Sequence, residues 1–197
     1  MRLVLASASP RRRALLEAAG VAVDVDPVDV DEARLDGESP AQYVERLARE
    51  KAAAGARRHP DALVLGADTT VTLDSDVLGK PVDAAEAAGM LRRLSGRTHE
   101  VLTGIAIAWR GAIASHVERT AVAMAPLSEA DIAWYVASGE PLDKAGAYAI
   151  QGLASRFIPR IDGSYANVVG LPVTAVLGLA ARLTGAQELA EPRGGTP

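Results

Sequence analysis

Three consecutive arginines, Arg11, Arg12 and Arg13, follow Ser9-Pro10 where a short apolar run, Leu3 to Ala6, gives way to a helical pattern closed by Gly20. Ser9 suits an N-cap and Pro10 a first helical position, because the missing proline N–H is one the first turn could not pair. Guanidinium groups there oppose the helix macrodipole, which favours acids at that end. Unpaired N–H groups together with forked cations do suit phosphate oxygens. Two readings stand side by side: a phosphate site, and a solvated basic turn that tolerates roughly a few tenths of a kcal/mol of repulsion.

Two further groups of residues could complete such a chemistry. Asp29, Asp31, Glu32, Asp36 and Glu38 form an acidic loop, either a solvated connection or a supply of hard oxygen ligands. Mg²⁺ needs only one or two of these beside substrate phosphates. Asp68 follows the apolar run Ala62-Leu63-Val64-Leu65-Gly66-Ala67, the pattern of a strand buried on both faces and here expected to end at Asp68. Ligands of open α/β sheets bind beyond the carboxyl ends of such strands, which makes Asp68 the best-placed carboxylate; the alternative is a turn or capping Asp. Lys51 lies between Glu50 and a run of alanines with no acid four residues on, and by itself reads as solvated. Lys80 is framed by Gly79 and Pro81, without the pattern of a Walker loop.

Composition removes several function classes. The 197 residues contain no cysteine, so disulfides, thiolate metal sites and a cysteine nucleophile are excluded. Three scattered histidines, His59, His99 and His116, argue against a histidine metal cluster. A net charge of −4, with one Phe and two Trp, suits neither a general nucleic-acid binder nor a single-strand stacking platform. No signal-peptide pattern or membrane-length apolar run is seen, and a cytoplasmic location is expected.

The elements that must position these residues follow from caps and periodicity. Val21 to Asp26 alternates like a half-buried strand. Ser39-Pro40-Ala41-Gln42 is a capping box that opens a helix to about Arg57, with Glu45/Arg49 and Arg46/Glu50 as surface pairs. Asp83 with Glu86 opens a helix ended by Gly96, and His99–Trp109 with Ala112–Ala125 reads as a long hairpin around Arg110-Gly111. Ser128 caps a helix that ends near Gly139. The stretch from Asp143 to Gly152 reads either as small residues that let backbone approach a ligand or as a buried strand with a glycine bulge. A hairpin is expected from Phe157 to Val169 around Asp162-Gly163-Ser164, then a helix from Leu171-Pro172 to Leu183 closed by Gly185. Glu188 to Pro197 lacks periodicity and is expected to be disordered.

Taken together, Ser7-x-Ser9-Pro10-Arg11-Arg12, Gly66-Ala67-Asp68-Thr69, Gly79-Lys80-Pro81, Thr98-His99-Glu100-Val101, Asp143-Lys144-Ala145-Gly146-Ala147-Tyr148 and Gly163-Ser164-Tyr165-x-Asn167-Val168-Val169-Gly170-Leu171-Pro172 resemble the Maf family in order and spacing. The resemblance implies an α/β fold with a mixed, twisted sheet, flanking helices and a deep substrate cleft, related to the inosine triphosphate pyrophosphatases. It implies one domain over residues 1–187, with two lobes around the cleft and a tail at 188–197. The implied activity is nucleoside triphosphate pyrophosphatase, in which water attacks the α-phosphorus to release a nucleoside monophosphate and pyrophosphate.

Under that resemblance Arg12, Lys51 and Lys80 clamp phosphates beside Ser9, Glu32 helps hold Mg²⁺ or Mn²⁺ with Asp68, and Asp68 deprotonates the attacking water. Arg11, Thr69 and Gln151 match the branch acting on dTTP and UTP rather than the branch acting on 7-methyl-GTP. An amide at Gln151 can donate and accept at once, as a uracil or thymine edge requires. A homodimer is implied as a partner state. The alternatives are a broader or modified-nucleotide pyrophosphatase, and a non-catalytic nucleotide-responsive regulator of septum formation.

Overall fold

The computed structural model describes residues 1–185, and the tail expected at 188–197 lies outside them. Among the described residues the strands are β1 (Leu3–Leu5), β2 (Asp24–Val25), β3 (Leu63–Leu73), β4 (Asp76–Leu78), β5 (Thr98–Trp109), β6 (Ala112–Ala123) and β7 (Arg160–Asp162). The helices are α1 (Pro10–Ala18), α2 (Pro40–Arg58), α3 (Ala84–Leu94), α4 (Glu129–Ala137), α5 (Tyr165–Val169) and α6 (Val173–Thr184), with 3₁₀ turns at Glu140–Asp143, Ala145–Ala147 and Leu153–Phe157. The result is the expected α/β class, a mixed sheet of order β2-β1-β3-β5-β6-β7 with β4 on β3. β1 runs parallel to β2 and β3, while β3/β4 and β6/β7 are antiparallel. Among the described residues no helix is long and apolar enough to cross a membrane.

The chain divides into two compact units. One holds Met1–Asp68, Thr103–Glu118 and the chain from Gly170 onward; the other holds Thr69–Leu102 and Arg119–Val169.

In the first unit the strands sort large and small residues onto opposite faces, as a period of two requires. Leu63, Leu65 and Ala67 of β3 and Ile105 and Ile107 of β5 join one cluster with Leu16 of α1 and Val176, Leu179 and Ala180 of α6. Of their alternates, Gly66, Gly104, Ala106 and Ala108 are small, while Val64 packs with Val4 and Ala6. Ala106 and Ala108 of β5 pack with Ala48 and Ala52 of α2. A Cβ added to Gly66 would lie 2.1 Å from the Ala48 carbonyl oxygen and 2.5 Å from the Ala52 nitrogen, and one on Gly104 would lie 2.2 Å from the Val44 carbonyl oxygen. Backbone therefore lies directly on backbone where α2 crosses β3 and β5. Helix α2 begins as expected, with Ser39 Oγ accepting the Gln42 N–H and Gln42 Oε1 accepting the Ser39 N–H.

The second unit has a core of Val71, Leu78, Leu91, Leu94, Val101, Val122, Ile132, Tyr135, Tyr148 and Phe157. Its α3 and α4 start at the expected caps: Asp83 accepts from the Glu86 N–H, and Ser128 shares a reciprocal box with Asp131. His99 is buried, with Nε2 2.7 Å from Tyr148 Oη and the two rings edge to face at 5.3 Å. Burial pulls its pKa from 6.5 down to about 4.

Four expectations are corrected. The strand expected over Val21–Asp26 is only Asp24–Val25, both exposed, because β2 is an edge paired with β1 alone. The run ending in Asp68 does not stop there: β3 continues to Leu73, where β4 takes up the edge that β1 leaves after Leu5↔Leu65. The stretch from Asp143 to Gly152 holds 3₁₀ turns instead of a strand, with left-handed backbone at Gly146 and Ala147. Tyr165–Val169 is a helix, begun where Ser164 Oγ accepts the Asn167 N–H, so the expected hairpin partner is absent and β7 pairs with β6.

Two outcomes follow from this packing. Gly66→Ala forces backbone apart where nothing flexible can yield, and should lower unfolding free energy by more than the roughly 1–3 kcal/mol typical of an overpacked core. Urea titration reads the change, and an unaltered midpoint and slope would contradict close packing at this crossing. For His99, the unfolded chain takes up a proton below about pH 6.5 and the folded one only near pH 4. The stabilisation is whole above pH 6.5 and is lost as pH falls toward 4, on the order of 3 kcal/mol in all. His99→Gln should flatten that part of the stability profile; an identical slope in both proteins would contradict a buried neutral imidazole.

Candidate active site

Lys51 stands on the face of α2 that meets β3, and it is 7% exposed. An ammonium cannot be buried there without countercharge. Its Nζ is 2.7 Å from Asp68 Oδ1 and 2.6 Å from Glu32 Oε1. Gly66 and Asp68 share a strand face, and the missing Cβ at Gly66 brings α2 close enough for Lys51 to reach Asp68. The reading of Lys51 as a solvated lysine is corrected: its acids come from a loop and a strand remote in sequence, not from its own helix.

The loop that supplies Glu32 is tied to α2. Tyr43 Oη donates to the Glu32 carbonyl at 3.0 Å. Arg46 grips the buried Glu38 carboxylate with Nε at 2.7 Å and Nη2 at 3.0 Å, and the same Nη2 donates to the Ala33 carbonyl. Arg34 donates twice to the Glu38 carbonyl, and the Leu35 N–H donates to Glu38 Oε2. The hydrogen bonds from Arg46 hold the Glu38 carboxyl below its ordinary range. Asp29, Asp31 and Asp36 are exposed, so the solvated reading suits them and fails for Glu38. The expected Arg46/Glu50 pair is present but longer, at 3.4 Å. Glu45 and Arg49 are bridged by the Ser115 hydroxyl instead of meeting directly.

Helix α1 presents Arg12 to the same place, while Arg13 pairs with Glu17 on the surface. Ser9 Oγ accepts the Arg12 N–H as the N-cap. The Arg12 guanidinium donates to Ser7 Oγ at 3.0 Å, to the Ala67 carbonyl at 2.9 Å and to the Gly170 carbonyl at 2.9 Å. It thus pins the peptide immediately before Asp68. Burial lowers the Arg12 pKa, the charge of Asp68 opposes that shift, Arg11 adds to it and Glu32 opposes it. Arginine remains charged under such a shift. Burial, then Asp68 and Glu32, raise the Tyr43 phenol.

The first unit therefore gathers Ser9, Arg11, Arg12, Glu32, Lys51 and Asp68 of the residues singled out from sequence. In the second unit, Thr69 is the half-buried neighbour of Asp68 on β3, and Lys80 and Gln151 are exposed. Tyr43, Glu38 and Arg46 were missed as positioning residues. Tyr43 and Arg46 are one turn apart on α2, a faint signal, while nothing local links either to the loop upstream.

Glu32 and Asp68 present carboxylate oxygens that both reach a single cation, the Lys51 ammonium. Among the described residues no group of three or more His, Cys, Asp or Glu could hold a metal ion. Two hard-oxygen carboxylates nevertheless fit Mg²⁺ or Mn²⁺, which take one or two from protein and the rest from water and phosphate.

A sequence profile described as Maf-like protein matches residues 2–183. The dTTP/UTP pyrophosphatase of Symbiobacterium thermophilum is 56% identical over 173 residues, 87% of this chain and 88% of that one. That of Anaeromyxobacter dehalogenans is 55% identical over 186 residues, 92% and 93% of the two chains. Among solved structures, the nucleoside-triphosphatase / dITP/XTP pyrophosphatase of Mycobacterium abscessus superposes with TM-score 0.43 at 15% identity, over 64% of this chain and 76% of that one. The Ham1 protein of Staphylococcus aureus gives TM-score 0.46 at 15% identity, over 63% and 72%. With a profile matching nearly its whole described length and relatives of more than half identity over most of both chains, the chain belongs to the Maf family.

Proposed function

We propose that the protein hydrolyses nucleoside triphosphates to the monophosphate and pyrophosphate, with dTTP and UTP preferred, by attack of water on the α-phosphorus. The observation that carries this is the Glu32–Lys51–Asp68 cluster at the crossing of β3 and α2, beside the arginines of α1. Its relatives bear the name dTTP/UTP pyrophosphatase. A protein that only bound nucleotide would have no use for a carboxylate base beside its cations.

The chemistry requires positioning, charge cancellation and a base. Asp68 takes the proton from the attacking water onto a carboxylate oxygen and orients the lone pair toward phosphorus. Lys51 supplies its ammonium to the triphosphate once its countercharge is otherwise engaged. Arg12, fixed through Ser7, Ala67 and Gly170, adds a positive field at the α1 N-terminus, Arg11 extends it, and the Ser9 hydroxyl offers a hydrogen bond to a phosphate oxygen. Lys80 takes a further phosphate, as the family resemblance assigns. Glu32 and Asp68 are the residues that would hold Mg²⁺ or Mn²⁺; when bound, the ion lowers the pKa of water and offsets phosphate charge. Thr69 and Gln151 select the base, the Gln151 amide matching the donor and acceptor of a uracil or thymine edge. A cytoplasmic setting and a homodimer belong to the same proposal, the homodimer on family resemblance alone.

The purified protein, assayed for pyrophosphate release over a panel of triphosphates, should favour dTTP and UTP, lose turnover in excess chelator and regain it with Mg²⁺ or Mn²⁺. Asp68→Asn should lower kcat by at least about 10²-fold, the lower range for a lost general base. Calorimetry should still detect dTTP binding, undiminished or tighter, because one negative charge facing the triphosphate is gone. Near wild-type turnover by Asp68→Asn would place the base elsewhere.

A further inference from the structure

Gln151 is at the crown of a tight turn that the Gly152 N–H closes onto the Ala149 carbonyl at 3.1 Å. Both stems of this turn are held by one connected pair of side chains. On the entering side, the Ala149 N–H donates to Tyr135 Oη at 3.2 Å. Tyr135 Oη in turn donates to Glu140 Oε1 at 2.7 Å. On the leaving side, the Leu153 N–H donates to Glu140 Oε2 at 3.0 Å and the Ala154 N–H to Glu140 Oε1 at 3.5 Å. The Glu140 carboxylate thereby serves the first N–H groups of the 3₁₀ turn Leu153–Phe157, which have no partner within that turn.

The fit leaves no slack. A Cβ on Gly152 would lie 2.2 Å from Glu140 Oε2 and 2.4 Å from Oε1, so the carboxylate occupies the space a side chain would need. Tyr135 is fully buried, which fixes where its hydroxyl can be. Tyr148, the residue before Ala149, is bonded to His99. Gln151 itself is exposed. The fold thus places a buried tyrosine and a half-buried carboxylate, joined by hydrogen bonds, under a single exposed amide.

We propose that Tyr135 and Glu140 are positioning residues for base selection: they hold the Ala149–Gly152 turn so that the Gln151 amide meets the pyrimidine edge in one orientation. This rests on the reading that Gln151 contacts the base. A side chain that reads a donor and an acceptor together loses discrimination when its backbone can rotate, while the phosphate chemistry of the Asp68 cluster does not depend on it.

The test is the ratio of kcat/KM for dTTP over dCTP, which share sugar and triphosphate and differ in the base, at its hydrogen-bonding edge and its 5-methyl group. Gln151→Ala should collapse the ratio. Tyr135→Phe, which keeps the ring and removes the hydroxyl with both of its hydrogen bonds, should lower it about tenfold or more, the size of effect expected when a polar group loses its partner. Added to Gln151→Ala, it should change the ratio no further. Glu140→Gln should lower the ratio too, and provides the test if Tyr135→Phe does not fold. An unchanged ratio in soluble, folded Tyr135→Phe alongside a collapsed ratio in Gln151→Ala overturns the positioning role and leaves Gln151 as the base reader. An equal fall for dTTP and dCTP in Tyr135→Phe makes the pair merely structural and overturns it as well. An unchanged ratio in Gln151→Ala overturns both readings.

Discussion

The buried ammonium of Lys51 sets the terms for everything around it. Desolvating a lysine costs several kcal/mol unless countercharge is at hand, and removing a partner from a buried pair costs about 3–5 kcal/mol. Its two carboxylates are not equivalent. The Asp68 side chain is 15% exposed and that of Glu32 57%. Ion pairs open to water contribute about 0–1 kcal/mol, so Asp68 is the firmer partner of Lys51 and Glu32 the looser one. A cation held by one firm and one loose carboxylate can be handed to an arriving phosphate without dismantling the fold.

That arrangement depends on small residues. α2 can lie on the sheet only because Gly66 and Gly104 offer no Cβ and because Ala106 and Ala108 face Ala48 and Ala52. Large residues at the alternate positions fill the opposite face. The same strands therefore make a conventional apolar core on one side and a tight helix crossing on the other. Arg12 extends the logic by bonding to the Ala67 carbonyl, which ties the α1 N-terminus to the peptide preceding Asp68. The unfavourable placement of Arg12 at a helix start is offset by its three acceptors, Ser7 Oγ and the Ala67 and Gly170 carbonyls, and by Asp68.

Features encoded locally were legible from sequence. The caps at Ser9, Ser39, Asp83 and Ser128, the α6 stop at Gly185 and the Arg110-Gly111 turn, with positive φ at both residues, all rest on neighbours in the chain. What escaped depends on distant segments. Lys51 looked solvated because its acids come from a loop and a strand elsewhere. Glu38 looked solvated because Arg46 turns toward it more closely than toward Glu50. Asp68 looked like a strand end because β1 stops beside Leu65, whereas β4 lets β3 continue. The α5 segment looked extended because its start is set by Ser164, which itself bonds to Thr120 on β6.

The proposal turns on whether Glu32 and Asp68, which hold the Lys51 ammonium, would hold a divalent cation in its place when substrate is bound. A crystal of the protein with Mn²⁺ and a non-hydrolysable α,β-imido analogue of dTTP, measured at the manganese absorption edge, tests it most directly. The account predicts an anomalous peak within coordination distance of both the Glu32 and Asp68 carboxylates, with Lys51 Nζ displaced from them onto phosphate oxygen. A peak elsewhere, with both Lys51 ion pairs intact beside bound nucleotide, would contradict it.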